Sequence, residues 1–328
     1  MNIHVEPVTI AMATPFRISR GSRTECHVVR VTIEQSGVSA QGECTPYPRY
    51  GESVESVITT ISQAAHELKG LFNKGETNLV SLREKLQAIL PAGAARNAID
   101  CAMWNLQAKL RGKQHSQDLF ELPTSIVTAM TVSINTPEAM ANQTRNYIEQ
   151  GAKLLKVKLD GEQVIERVRA VREAAGDAMI VLDANEAWQD LDLEATFAAL
   201  APLNITMIEQ PLPSNNDSKL KDIPHPIPLC ADESCHTRQQ LHKLVGKYEM
   251  VNIKLDKTGG LTEALLLAEE AKRLKFALMS GCMLGTSLAM RAALPIAVQS
   301  KVVDLDGPVL LGQDVEPALV YREGEIIL

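Results

Sequence analysis

The chain has few aromatic residues and no excess of basic ones. Phe, Tyr and Trp together make up 4% of its 328 residues, too few for the stacking platforms that bind single-stranded nucleic acid. The net charge of −7 argues against a basic nucleic-acid-binding surface. No segment approaches the ~18 apolar residues of a membrane helix, and the first residues alternate apolar with polar instead of forming a signal-peptide core. We therefore expect neither nucleic acid nor a membrane as a partner.

Closely spaced cysteine pairs are also missing. The six cysteines are scattered, at positions 26, 44, 101, 230, 235 and 282, without a C-x-x-C pair. In a chain of this size, that spacing is typical of reduced, buried thiols and not of a disulfide framework. We therefore expect a cytoplasmic protein. The sequence leaves open whether the protein forms a homo-oligomer.

Residues 1–120 have the pattern of an α+β domain. Alternating residues predict three strands, and the spacing of apolar residues predicts three helices after them. The strands are expected at Val5–Ala11, His27–Glu34 and Val38–Glu43, and the helices at Ser53–Lys69, Leu79–Leu90 and residues 91–111.

Residues 121–306 contain a structural repeat. Eight short apolar runs alternate with helical patterns, and each run ends in a polar residue. The polar ends of successive runs lie 22 to 28 residues apart. Strands that alternate with helices predict a parallel sheet, and eight of them close a barrel whose active site lies at the carboxyl ends of the strands. The polar ends are Thr131, Lys158, Asp183, Glu209, Asp232, Lys254, Cys282 and Asp304. We expect the tail, residues 307–328, to pack back on the first domain.

Three of these polar ends are acidic and lie on consecutive strands. Asp183, Glu209 and Asp232 would converge at the rim, where uncompensated carboxylates repel one another and are costly to desolvate. A hard divalent cation resolves this conflict, and all-oxygen ligation suits Mg²⁺. Each carboxylate taken alone would more often cap a helix or face water. Three in register favour a metal site.

Lysines lie on both sides of this acidic trio. Lys156 and Lys158 are two residues apart on one strand and therefore point to the same face, and Lys254 ends a strand on the opposite side. A lone lysine at a strand end is usually a solvated surface residue, but two that flank a metal site indicate proton transfer beside a metal-bound carboxylate. The pKa of the lysine base would have to fall from about 10.4 toward 7–8.

Five motifs and one helix connect the chain to a known family. They are KVKLD at 156–160, LDANEAW at 182–188, IEQPLP at 208–213, ADES at 231–234, NIKLDKTGGLTEA at 252–264 and the helix AARNAIDCAMWNLQAK at 94–109. Through them nearly the whole chain resembles the muconate-lactonising subgroup of the enolase superfamily, although Asn105 stands where many relatives carry Asp.

That resemblance implies a fold and a set of roles. It implies a (β/α)₇β barrel under an α+β N-terminal capping domain. It also implies one Mg²⁺ bound by Asp183, Glu209 and Asp232, acid/base roles for Lys158 and Lys254, and a place for Lys156 beside the substrate carboxylate. By the same resemblance, Lys158 is expected to act on the (R) substrate and Lys254 on the (S) substrate.

Within the subgroup the chain is most similar to the L-Ala-D/L-Glu dipeptide epimerases. Asp304 and Asp306, expected two apart on the last strand, resemble the pair that binds the ammonium of the dipeptide; an inward Asp and a capping Asp would be the simpler reading. Arg23, in the segment 17–25, matches the place where these epimerases hold the glutamyl carboxylate, a task that suits the arginine fork, although an arginine in a loop is usually only solvated. Thr131, Cys282 and Met283 resemble substrate-pocket positions, although Met283 could be simple core packing.

Two other functions stay open at this point. A lyase on the same scaffold, such as a cycloisomerase, an o-succinylbenzoate synthase or an acid-sugar dehydratase, would share the metal trio without needing Asp304 and Asp306. A barrel that only binds a metal or a partner, without catalysis, is the more remote alternative.

Overall fold

The first three strands form an antiparallel sheet against which three helices pack. The computed structural model describes residues 1–328, apart from the side chains of residues 14–17. The strands β1 (Asn2–Ile18), β2 (Gly21–Gln35) and β3 (Val38–Cys44) pair in that order, followed by the helices α1 (Val54–Asn73), α2 (Leu79–Ile89) and α3 (Ala94–Leu110). The segment 17–25 is therefore the end of a β1–β2 hairpin and not an open loop, and the side chain of Arg17 lies outside the described residues.

The helix α3 packs very closely on β3. A Cβ atom at Gly42 would lie 2.2 Å from the carbonyl oxygen of Ala98 and 2.6 Å from the backbone nitrogen of Ala102. Only glycine permits that approach. Most of α3 is buried, because its other side faces the second domain.

Eight parallel strands form the barrel in sequence order. They are β5 (Met130–Val132), β6 (Leu154–Lys158), β7 (Met179–Asp183), β8 (Met207–Glu209), β9 (Leu229–Ala231), β10 (Met250–Ile253), β11 (Ala277–Gly281) and β12 (Val302–Asp304). The N–H of Ala129 donates to the carbonyl oxygen of Val303 at 2.8 Å and joins the last strand to the first. The predicted barrel and capping domain are confirmed as a fold class.

The connecting helices are less regular than the repeat suggested. They are α4 (Pro137–Glu149), α5 (Val164–Ala175), α6 (Leu193–Leu200), α7 (Leu255–Thr258), α8 (Leu261–Arg273), α9 (Ser287–Ala297) and α10 (Gly307–Leu310). The connections after β8 and β9 contain only 3₁₀ helices, Ser218–Asp222 and Arg238–Lys243. Prolines at 211, 213, 224, 226 and 228 restrict the first of these connections.

The tail contacts both domains. The N–H of Gly312 donates to the carbonyl oxygen of Ala11 in the first domain at 2.8 Å. Farther along, β13 (Val320–Arg322) and β14 (Glu325–Ile327) form a hairpin that pairs with β4 (Ser125–Val127), before the first barrel strand. The hairpin therefore covers barrel residues and not the sheet of the first domain, a pairing that no local pattern in the tail specifies.

Candidate active site

Alternation along the barrel strands places a charged layer above an apolar one. The lower layer, inside the barrel, consists of Ala129, Leu154, Val181, Met207, Cys230, Met250, Met279 and Val302. Because side chains two residues apart on a strand share a face, the next inward positions carry polar groups. These groups belong to Thr131, Lys156, Asp183, Glu209, Asp232, Asn252 and Asp304, whereas β11 has Gly281 at the equivalent position. The strand pattern itself thus collects these groups at the carboxyl end of the barrel.

The three acidic residues lie side by side in this layer. Asp183 pairs with Glu209 across β7 and β8, and Glu209 pairs across β8 and β9 with Cys230, two residues before Asp232. All three side chains are buried. Burial, with Asp183 next in effect, raises the pKa of Glu209. The pKa values of Asp183 and Asp232 are lowered despite burial, chiefly by Lys158 and by Lys254 respectively. This is a strongly charged, nearly dry cluster.

The donor set of this trio suits a hard cation. Glu209 Oε2 and Asp232 Oδ1 are buried and accept no aligned hydrogen bond from a described residue. Among the described residues the donor atoms are not already gathered in a cation cage. Instead, Lys156 Nζ lies 2.7 Å from Glu209 Oε2 and 3.2 Å from Asp183 Oδ2. Three carboxylates on neighbouring strand ends supply the oxygen donors that Mg²⁺ prefers, so the trio fits this cation in its chemistry.

The two predicted acid/base lysines face the trio from opposite sides. Lys158 Nζ lies 2.6 Å from Asp183 Oδ2, and Lys254 Nζ lies 2.8 Å from Asp232 Oδ2. Contrary to the low pKa expected for a base, the pKa of Lys254 is raised, because Asp232 and other carboxylates outweigh the effect of burial. Positive charge bound to those carboxylates would reverse this balance.

Asp304 and Asp306 form the opposite wall of the pocket. Asp304 ends β12, but Asp306 lies beyond the strand, just before α10, so the two are not on one strand as the sequence suggested. Asp304 Oδ2 pairs with Lys156 Nζ at 2.7 Å, while its Oδ1 is buried without a partner among the described residues. Asp306 Oδ2 accepts the N–H of Thr131 at 2.9 Å. Burial and Asp304 raise the pKa of Asp306 to about 7.

The capping domain closes the pocket with arginines and tyrosines. Arg20, in the turn between β1 and β2, lies 3.0 Å from Glu233 Oε1 and donates to the Tyr47 hydroxyl at 2.9 Å. The Arg23 guanidinium lies 5.4 Å from the centre of the Tyr47 ring and forms no ion pair with a described side chain. Among the described residues of this hairpin, Arg23 is therefore available to a ligand. Arg49 binds Glu186 through two contacts of 2.8 Å.

All of the expected substrate positions line one pocket. Thr131, Lys156, Arg23, Cys282, Met283, Asp304 and Asp306 surround it together with Lys158, Asp232 and Lys254. Asp183 and Glu209 lie beneath its floor. The roles assigned to these residues remain predictions, but the structure brings every one of them to the same place.

Sequence reasoning assigned no role to several residues of the site. Arg20, Tyr47 and Glu233 line the pocket, and Asn252 Nδ2 donates to Glu209 Oε1 at 2.6 Å. Burial and Asp232 raise the pKa of Glu233 to about 8. Two of these residues stand inside the quoted motifs, Glu233 in ADES and Asn252 at the start of NIKLDK, so the motifs themselves could have drawn attention to them.

Comparison with known proteins gives consistent matches. The family described as "Mandelate racemase / muconate lactonizing enzyme, N-terminal domain" matches residues 1–120, and "Enolase C-terminal domain-like" matches residues 139–328. The chain is 54% identical to the L-Ala-D/L-Glu epimerase of Escherichia coli (strain K12), over 96% of each chain. It is 44% identical to an N-acetyl-D-glutamate racemase of Pseudoalteromonas sp, over 91% of this chain and 92% of that one.

Comparison with a solved structure agrees with these sequence matches. The dipeptide epimerase of Cytophaga hutchinsonii complexed with Mg and the dipeptide D-Ala-L-Val has a TM-score of 0.90 and 29% identity, covering 99% of this chain and 92% of that one. No helix among the described residues combines the length and hydropathy needed to cross a bilayer.

Proposed function

This chain belongs to the mandelate racemase / muconate lactonizing enzyme family of the enolase superfamily, and from that premise we propose that it is a Mg²⁺-dependent isomerase that epimerises the glutamyl α-carbon of L-Ala-D/L-Glu dipeptides. The observation that carries the proposal is the position of Lys158 and Lys254 on opposite sides of three buried carboxylates, 2.6 Å from Asp183 and 2.8 Å from Asp232.

Epimerisation requires a proton to leave one face of a carbon and return to the other. Asp183, Glu209 and Asp232 would hold one Mg²⁺, which when bound stabilises negative charge developing on the substrate carboxylate. Lys158 and Lys254 face the α-carbon from opposite sides. One lysine, as the free amine, removes the proton, and the other, as the ammonium, returns a proton to the opposite face. Lys156 adds positive charge at the carboxylate end.

The rest of the pocket suits a dipeptide with a free amino group and an acidic side chain. Asp304 and Asp306 lie on the wall opposite the metal ligands, where the substrate ammonium would bind. Arg23 extends from the capping domain, and its guanidinium pairs with the glutamyl carboxylate. L-Ala-D-Glu is a component of murein, so we assign the enzyme to the recycling of cell-wall peptides in the cytoplasm, in keeping with six free cysteines.

A second candidate substrate is an N-acylated glutamate. The relative of 44% identity acts on N-acetyl-D-glutamate by name, and that substrate lacks the ammonium. A pKa of about 7 for Asp306 allows its protonated form to donate a hydrogen bond to an acyl oxygen. The same metal site and lysines would serve both reactions, so only the amino end distinguishes the two.

Proton exchange in D₂O tests the proposal directly. Purified protein with Mg²⁺ is incubated with L-Ala-L-Glu, L-Ala-D-Glu and N-acetyl-D-glutamate, and deuterium at the α-carbon is followed by NMR. We expect exchange and epimerisation of both dipeptides, with slower exchange of the acylated amino acid. Faster exchange of N-acetyl-D-glutamate would favour the second candidate. If none of the three compounds exchanged its α-proton, the lyase and the non-catalytic barrel would be the remaining alternatives.

A further inference from the structure

Lys257 is a fully buried lysine that the mechanism above does not use. It lies three residues after Lys254, in the short helix α7, and its side chain has no exposed surface. It is not among the described residues that line the pocket. A buried ammonium is costly unless it is fully paired, so its partners should reveal its role.

The partners of Lys257 come from two neighbouring strand ends. Its Nζ donates to the carbonyl oxygens of Asp232, Cys235 and Asn252, at 2.5, 2.9 and 2.9 Å. These bonds use all three donors of an ammonium group. They tie the loop after β9 to the end of β10, which carries Lys254.

The same ammonium also fixes one oxygen of a predicted metal ligand. Lys257 Nζ lies 2.6 Å from Asp232 Oδ1, whereas Lys254 Nζ lies 2.8 Å from Asp232 Oδ2. The contact with Oδ1 is ionic and not an aligned hydrogen bond, because the donors point to carbonyl oxygens. Each lysine therefore contacts one oxygen of the Asp232 carboxylate. Lys257 does so from beneath, out of reach of the substrate, and Lys254 from the pocket.

We propose that Lys257 is a positioning residue that fixes the rotation of the Asp232 carboxylate and the position of Lys254. This inference rests on the proposed function, because it assigns Asp232 to the metal and Lys254 to proton transfer. Mg²⁺ demands near-octahedral geometry, and groups that hold a ligand in place affect metal affinity by about 10–100-fold. Lys158, on the other side of the trio, has no contact with Lys257 among the described residues.

The test compares Lys257→Met and Lys257→Arg with Lys153→Met. Lys153 pairs with Glu325 on the surface, with half of its side chain exposed, so its variant removes the same charge far from the site. Binding of Mn²⁺, as a probe that needs no substrate, is measured by electron paramagnetic resonance. Deuterium exchange is then measured separately from L-Ala-L-Glu and L-Ala-D-Glu, because Lys254 is expected to act on the first and Lys158 on the second.

We expect Lys257→Met to weaken Mn²⁺ binding about tenfold and to slow exchange from L-Ala-L-Glu at least tenfold more than exchange from L-Ala-D-Glu. Lys257→Arg keeps the charge but not the three-carbonyl geometry, so it should show a smaller loss of the same asymmetric kind; it carries the test if the Met variant does not fold. Unchanged Mn²⁺ affinity, or equal losses with both dipeptides, would overturn the proposal. Wild-type protein that binds Mn²⁺ but exchanges neither dipeptide would count against the proposed function instead, and the Mn²⁺ titration would still decide the role of Lys257.

Discussion

The barrel rim and the capping domain contribute to the same pocket under different physical conditions. At the rim, Lys156, Asp183 and Glu209 have at most 1% of their surface exposed and lie on strands fixed by the ladder. In the capping domain, Arg20 and Arg49 have 27% and 38% of their side chains exposed and lie in connecting segments. Buried charges interact strongly and are screened much less by salt, whereas exposed pairs contribute about 0–1 kcal/mol. We infer that the rim determines whether the reaction occurs and that the capping domain determines which substrate is preferred.

The largest effect should follow from breaking the acidic trio. Asp183→Asn, Glu209→Gln and Asp232→Asn each remove a charge from a buried cluster, and we expect each to lower kcat for epimerisation of L-Ala-L-Glu by about 10³-fold or more, since loss of transition-state charge stabilisation is worth that much. Removal of metal with EDTA should have the same effect and be reversed by Mg²⁺. Glu325→Gln, a surface control, should leave kcat unchanged. Full turnover by any of the trio variants would refute the metal site.

The second largest effect should come from the two lysines, and each variant should affect one epimer of the dipeptide more than the other. Lys254→Ala should abolish exchange from L-Ala-L-Glu and spare part of the exchange from L-Ala-D-Glu, and Lys158→Ala should do the reverse, because each amine reaches one face of the α-carbon. Deuterium incorporation into each epimer measures both. A variant that still epimerised in both directions at the wild-type rate would rule out two opposed bases.

Asp306→Asn should give an intermediate loss that is equal across dipeptides. It removes one of two carboxylates near the ammonium, and a truncated charge pair typically costs about 2–5 kcal/mol when desolvated. Asp304 remains, so we expect about a tenfold lower kcat/KM for L-Ala-L-Glu and L-Ala-L-Leu alike.

The pH dependence of kcat/KM gives a further check on the binding of the substrate ammonium by Asp306. Its pKa is raised to about 7, so the carboxylate that binds the ammonium is present above pH 7 and is lost as the pH falls through 7. The ratio of wild-type to Asp306→Asn kcat/KM should therefore shrink at pH 6. A ratio that stayed constant between pH 6 and 8 would contradict an ammonium-binding role.

Arg23→Ala should produce a smaller effect that depends on the substrate. Arg23 is half-buried and has no ionic partner among the described residues, so it is available to a glutamyl carboxylate. We expect kcat/KM for L-Ala-L-Glu to fall about tenfold, about 1.4 kcal/mol, while that for L-Ala-L-Leu or L-Ala-L-Met holds or rises. Equal losses with both kinds of substrate would make Arg23 a structural residue.

The smallest effect should come from the exposed pair between the two domains. Arg49 binds Glu186 through two nitrogens, but 38% of its side chain is exposed. We expect Arg49→Ala to change KM for L-Ala-L-Glu by less than about threefold, and the difference from wild type to disappear at high salt, where exposed charges are screened. A loss as large as that of Arg23→Ala would show that closure, and not only selection, depends on the capping domain.

The fold and the composition of the rim could be predicted because strand geometry is local. Alternation with a period of two, repeated eight times, specifies which side chains point inward, and parallel pairing then aligns the strand ends. Asp183 and Glu209 meet because their strands are neighbours, whatever the loops between them do. The same logic places Lys158 and Lys254 on opposite sides of the acidic trio, as the sequence predicted.

Contacts between distant segments depend on packing that no local pattern records. Thr45 and Asp256, 211 residues apart, share a hydrogen bond of 3.0 Å between the domains. Arg20 reaches Glu233 only because the β1–β2 hairpin folds over the barrel mouth. Lys257 contacts Asp232 through a turn of α7, and Asp306 leaves the strand on which it was expected. The sequence by itself determined the barrel and the residues at its rim, through the period of the strands. Only the tertiary structure decided which oxygen of Asp232 each lysine faces and that Arg20 is paired with Glu233, because side-chain pairing in a buried site depends on every neighbour at once.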